Sequence, residues 1–160
     1  MVDYKVRYEQ MKKRTAGYSM GLCAMIRKIG GEQLLRSTLD LSAENSGARR
    51  ASALRGETNP QMALANELMA MLEEFDTSGK VIEIEGKSVK VTNPYCGCLS
   101  PFTSQAEKFG FTDEEARLYA CRRCMPSYEE TAERLGLEFK GKLTGDINGG
   151  CWMQFSKKND

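Results

Sequence analysis

Apolar residues near the start of the chain recur at alternating spacings of four and three: Tyr4, Tyr8, Met11, Thr15, Tyr18, Leu22, Met25 and Ile29. That pattern is an a/d seam along one long helix or two consecutive ones. It is expected to pack against other helices of the same chain, with a homodimer through the helical half as the alternative. Gly17 and Gly21 lie four apart and leave room for a close helix approach, each at a cost of about 1 kcal/mol in helix propensity. Gly30-Gly31 ends the stretch. A second helical pattern follows from Glu32 to about Leu54, with Gly47 expected as a break. Asn59-Pro60 reads as an N-cap followed by the first helical residue. Met62, Leu64, Ala65, Leu68, Met69, Met71, Leu72 and Phe75 then surround most of a helix, as in an element that is central or shared. Cys23 lies off the first seam and reads as a small buried hydrophobe.

The pattern changes at Asp76-Thr77-Ser78-Gly79. Val81-Ile82-Glu83-Ile84-Glu85 and Val89-Lys90-Val91 alternate apolar and polar around Gly86-Lys87, which predicts a β-hairpin. Ser100-Pro101 starts a short helix through Phe102, Ala106 and Phe109, stopped by Gly110. Thr112 and Glu115 form a capping box for the next helix, which is expected to end at the Cys121–Cys124 pair. Pro126, with Glu129 and Glu130 behind it, is expected to start another helix that ends at Gly136. Leu137, Phe139 and Leu143 alternate with charged residues in a strand. After the turn from Gly145 to Gly150, a last strand puts Cys151, Met153 and Phe155 on one face. The expected fold is α+β, with residues 1–160 as a single domain. An N-terminal helical half (1–78) precedes a half (79–160) of about four antiparallel strands with helices and a cysteine cluster.

Composition narrows the function. The chain has 160 residues, 41% hydrophobic and 28% charged, as in a soluble globular protein that can bury a core. The net charge of +1 gives no footprint for nucleic acid. No stretch has the roughly 20 apolar residues of a membrane helix, so no membrane partner is expected. Met1-Val2-Asp3-Tyr4-Lys5 is not an apolar leader, which makes the cytoplasm the expected compartment and keeps thiols reduced. The chain contains no histidine. A His-based triad is excluded, and a metal site must use Cys, carboxylate, backbone or water.

Five of the six cysteines fall in the last 65 residues: Cys96, Cys98, Cys121, Cys124 and Cys151. Cys121 and Cys124, three apart on a helix, project to one side. Together the five exceed the four thiolates of a closed Zn2+ site or a [4Fe-4S] cluster, and the two cofactors are not separable at this level. Two other readings stay open. Behind the metal reading, Cys121 and Cys124 also read as a redox pair whose thiol pKa the adjacent arginines depress, and all five as thiols packed round a pocket. Arg122 and Arg123 either bind an anionic substrate or face water. Arg49, Arg50 and Arg55 carry the same pair of readings.

The run Cys98-Leu99-Ser100-Pro101-Phe102, the helix ending in Lys108-Phe109-Gly110, the Cys121–Cys124 pair, and Leu143-Thr144-Gly145-Asp146 followed by Cys151-Trp152-Met153-Gln154-Phe155 resemble the L-2-amino-thiazoline-4-carboxylic acid hydrolase-like family. The end motif is also similar to four-vinyl-reductase-type small-molecule-binding domains, which often serve as sensors. The first resemblance implies ligand or nucleophile positions at Cys98, Cys121, Cys124 and Cys151, with Asp146 beside them. Cys98 and Asp146 are then the catalytic candidates, Asp146 as general base or as a cap of the Gly-rich turn. The chain departs from the pattern in having no Pro directly after Cys98 and an extra Gly149-Gly150, and Cys96 is additional. The function expected is a metal- or thiolate-dependent hydrolase-like protein acting on a small sulfur- or nitrogen-containing substrate. The alternatives are a non-catalytic zinc or [4Fe-4S] binding or sensor module for a small ligand, and a purely structural interaction protein.

Overall fold

A computed structural model describes residues 3–146 and 149–158, so Ile147 and Asn148 of the expected Gly-rich turn lie outside the described residues. The elements are α1 (Tyr4–Ala53), α2 (Pro60–Glu74), β1 (Val81–Glu85), β2 (Ser88–Tyr95), α3 (Leu99–Ala106), a 3-10 turn (Glu107–Phe109), α4 (Asp113–Arg134), β3 (Leu137–Leu143) and β4 (Gly149–Lys157). The strands form one antiparallel sheet in the order β1-β2-β4-β3. The fold is therefore α+β, helical first and then sheet, as the pattern predicts.

Gly86 takes φ 57° in the two-residue turn of the β1–β2 hairpin, where Glu85 pairs with Ser88. This left-handed conformation is one that glycine adopts without a steric cost. β4 lies between β2 and β3, so that Val89 faces Phe155, Val91 faces Met153, and Asn93 faces Cys151. Period-two alternation turns Val89, Val91, Leu137, Met153 and Phe155 to one side. There they bury Leu64, Ala65, Leu68 and Leu72 of α2 and Tyr128 and Ala132 of α4 in a first core. A second core joins Met20, Cys23, Leu35 and Leu39 of α1 to Ala106, Phe111, Ala116 and Tyr119. Each large apolar side chain buried in this way contributes about 1.5–3 kcal/mol. Helix α4 supplies both cores, its first half to one and its second half to the other. The Thr112–Glu115 capping box that starts it is present in full.

Four local expectations need correction. Gly31 breaks α1 with a non-helical φ of 75°, as Gly30-Gly31 predicts, but Gly47 does not interrupt it. Gly47 is instead buried and helical at the crossing of α1 and α4. A Cβ there would lie 2.6 Å from Glu130 Cβ and 2.8 Å from the Ser127 carbonyl oxygen. Pro126 lies inside α4 and does not start a new helix. The helix gives up the bond that residue 126 would make to the Arg122 carbonyl, because packing on both sides holds it together. Asn59 precedes α2, but its side chain makes no capping bond.

The fourth correction concerns the seam of α1. It does not pack within the chain: Tyr4 and Tyr18 are each 81% exposed and Ile29 74%. The row that α1 buries is Lys12, Ala16, Met20 and Cys23, in which Ala16 and Cys23 are small enough to admit close neighbours. Lys12 enters that row because Glu9 and Asp76 meet its ammonium at 2.6 and 2.9 Å. Among the described residues no helix is long and apolar enough to cross a membrane.

The Gly47 crossing makes a test of this packing. Gly47→Ala should lose about 1–3 kcal/mol of unfolding free energy in a denaturant titration, because the methyl overlaps the backbone of α4. An unchanged midpoint would show that the two helices are not in such close contact.

Candidate functional site

β2 runs directly into Cys96-Gly97-Cys98, and this loop is clamped from below. The Gly97 amide donates to Thr77 Oγ1 at 3.1 Å. A Cβ at Gly97 would lie 1.8 Å from the Phe75 carbonyl oxygen, so only glycine fits between the two cysteines. Cys98 sits immediately before α3, the Leu99 amide donates to the Cys96 carbonyl at 3.0 Å, and the Cys98 and Leu99 amides favour the anionic form of the Cys96 sulfur. On α4, Cys121 and Cys124 project to one side, as residues three apart must. Cys151 comes from β4, paired with Asn93 of β2 and Leu143 of β3.

These five cysteines line one cavity of about 280 Å³, walled by Met71, Phe75, Phe102 and Met153. All five are half-buried free thiols. The central part of α4 supplies Ala120, Cys121, Arg123, Cys124, Met125, Ser127 and Tyr128 of the wall. The structure thus brings together every cysteine of the expected cluster. Cys23, expected to be structural, is buried in the second core.

The electrostatics are uneven. The Cys98 thiol beside Cys96 and the neighbouring amides favour the anionic sulfur there against its burial. By the same contact Cys98 is pushed upward, and burial adds to the shift. Its sulfur also lies 3.8 Å from Met71 Sδ, but a thioether is the weaker acceptor for its one proton. Burial pushes Cys121 up to about 11 and Cys151 up to about 12, and the neighbouring charge of Cys96 adds to both. Cys124 rises for the same reasons, burial first. The arrangement favours one thiolate, at Cys96, among protonated thiols.

As positioned, no three His, Cys, Asp or Glu side chains among the described residues form a group that could hold a metal ion. The donor chemistry nevertheless suits a soft or borderline metal. Five thiols from a loop, a helix and a strand line one space, and thiolate is the donor that such metals prefer.

Of the other expected site residues, Arg123 lines the cavity at its exposed side and places Nη1 3.4 Å from Ser19 Oγ. Arg122 does not line it. Its guanidinium makes a two-point contact with Asp40 of α1, Nε to Oδ1 and Nη2 to Oδ2, both at 2.7 Å. Adjacent residues on a helix point about 100° apart, so the two arginines cannot share one ligand. Asp146 is exposed in the β3–β4 turn, where its carbonyl accepts from the Gly149 amide at 2.9 Å, and it is not part of the cavity wall. Gly149 and Gly150 belong to β4 rather than to the turn. A Cβ on Gly150 would meet the Asn93 carbonyl oxygen at 1.5 Å.

Two contributors, Arg117 and Asn93, have no signature in the sequence, and a third, Arg50, is one of the arginines expected to bind an anion or face water. Arg50 lines the cavity but is already paired: Nε reaches Glu67 at 3.0 Å and the guanidinium lies 4.0 Å over the Tyr128 ring. Tyr128 in turn donates to Glu67 at 2.6 Å, closing a network behind the cysteines. Arg117 holds the β3–β4 turn through the Thr144 carbonyl at 2.9 Å, and its charge lies beside Cys121. Asn93 is 1% exposed, and neither its amide nitrogen nor its oxygen has a hydrogen-bond partner among the described residues. Its side chain lies by Cys96 and Cys151, where it favours their anionic forms.

A buried amide without partners costs stability unless something uses it. Asn93→Leu is therefore expected to raise the unfolding free energy by about 1 kcal/mol while slowing alkylation of the cluster by iodoacetamide. A variant that is less stable than the parent, with unchanged alkylation, would show that Asn93 serves the fold instead. No protein-family model, curated protein or solved structure matches this chain, and the reading of the cavity rests on its own residues and geometry.

Proposed function

We propose that the chain is a hydrolase-like protein whose reactive centre is the five-cysteine cavity, with a metal- or thiolate-dependent step on a small sulfur- or nitrogen-containing substrate. The observation that carries this reading is the convergence of Cys96, Cys98, Cys121, Cys124 and Cys151 on one largely apolar space. A volume of about 280 Å³ lies at the small end for ligand sites, which suits a compact molecule rather than a polymer. Arg123 at the exposed side offers a cation to a substrate carboxylate, and Met71, Phe75 and Phe102 exclude water from the rest. Bound by three of the thiolates, Zn2+ would supply a Lewis acid and an activated water. The likeness to the L-2-amino-thiazoline-4-carboxylic acid hydrolase-like family points to the same class of substrate. The proposed setting is the reducing cytoplasm, where the thiols stay free.

A second reading is supported by the number of thiols. An open catalytic zinc site uses three protein ligands, and this cavity offers five. A site closed by four of them, as zinc or [4Fe-4S], would make the protein a non-catalytic binding or sensor module.

Anaerobic purification, elemental analysis and a visible spectrum separate the two, followed by assay on thiazoline and amide panels. The first reading expects hydrolysis that falls roughly 100-fold or more in Cys121→Ser and Cys124→Ser, with folding retained. A metal closed by four thiolates and no turnover would establish the module. Full metal-free activity in both variants would remove Cys121 and Cys124 from the chemistry.

A further inference from the structure

The apolar stripe of α1 is used by neither the cores nor the cavity. Tyr4, Met11, Tyr18, Leu22, Met25 and Ile29 are all exposed, from 52% to 81%, while the row Lys12, Ala16, Met20 and Cys23 faces the body of the protein. The stripe keeps a strict three-and-four alternation, the narrow seam of a two-helix contact rather than the broad face of a helix lying in lipid. On the order of 800 Å² of side chain stands ready to be covered on each copy, the size of one side of a standard interface.

We infer that a second copy of this chain covers the stripe, with the two helices antiparallel. The seam is self-complementary about a point between Thr15 and Tyr18. With the helices reversed, Tyr4 of one copy faces Ile29 of the other, Tyr8 faces Met25, Met11 faces Leu22, and Thr15 faces Tyr18. Every layer then pairs unlike side chains, and the small Thr15 sits against the large Tyr18. A parallel pair would instead stack each tyrosine on its own copy and leave a thin layer at Thr15. The flanks agree as well. Reversal places Arg14 beside Gly21 and Lys5 beside Ile26, and leaves Arg7 against Lys28 as the like-charge contact.

That remaining repulsion gives the test its sign. Residues 1–30 carry seven basic and two acidic side chains, so an anionic lipid surface is the rival occupant. Sedimentation of the full chain in reductant is expected to show a dimer that tightens as ionic strength rises, because salt screens Arg7 from Lys28. Leu22→Glu should weaken it roughly 100-fold with helical content unchanged by circular dichroism. Lys28→Glu, which turns the Arg7 contact attractive at both ends of an antiparallel pair, should tighten it roughly fivefold. A wild type that stays monomeric at high micromolar concentration overturns the proposal. So does a monomer that binds phosphatidylserine vesicles and is released by salt. A dimer that Lys28→Glu leaves unchanged or weakens overturns the antiparallel register. None of these readouts depends on the contents of the cysteine cavity.

Discussion

The structure depends on how α4 is held between two hydrophobic cores. Its first half packs Ala116 and Tyr119 against α1 and α3, and its second half packs Tyr128 and Ala132 against α2 and the sheet. The middle of the helix therefore has its position set from both ends, and that middle carries Cys121 and Cys124. The close crossing of α1 at Gly47 and the partly buried Arg50–Glu67–Tyr128 network hold the helix along its length. Interiors packed at crystal-like density do not deform freely, so the sulfurs are fixed by the same packing that stabilises the domain.

The cavity is left over where these cores meet, and its chemistry follows from that place. Thiols half-buried among apolar side chains resist ionisation, which is why Cys121, Cys124 and Cys151 all shift upward. Cys96 differs because it lies at the mouth of α3, where amide donors and the Cys98 thiol favour its anionic sulfur. Gly97 and Gly150 make the approach possible, since a side chain at either would overlap a backbone carbonyl. Asn93, buried beside Cys96 and Cys151 with both amide atoms unmatched, shows the local rules broken in the neighbourhood of the sulfurs. Broken rules of this kind cluster where a protein binds or reacts.

Period and punctuation determined most of the architecture from the sequence alone: the break at Gly31, the hairpin at Gly86-Lys87, the Thr112–Glu115 cap, the stop at Gly110 and the inward face of Cys151, Met153 and Phe155. Each is a local rule, set by a few residues and the backbone geometry they allow. The membership of the cysteine cluster was legible for a related reason, because thiols gathered so densely have few uses other than a shared site. Tertiary structure decided what depends on partners distant in the chain. Pro126 stays helical and Gly47 stays unbroken because α1 and α4 press together there. The choice between two rows of α1 went to Ala16, Met20 and Cys23, because Met20 and Cys23 meet Ala106, Phe111, Ala116 and Tyr119 from much later in the chain. Arg122 went to Asp40 because one step along a helix turns a side chain through about 100°. Asn93 and Arg117 acquire a bearing on the site only through neighbours that no spacing in the sequence reveals, and Arg50 is held by Glu67, a partner equally invisible there.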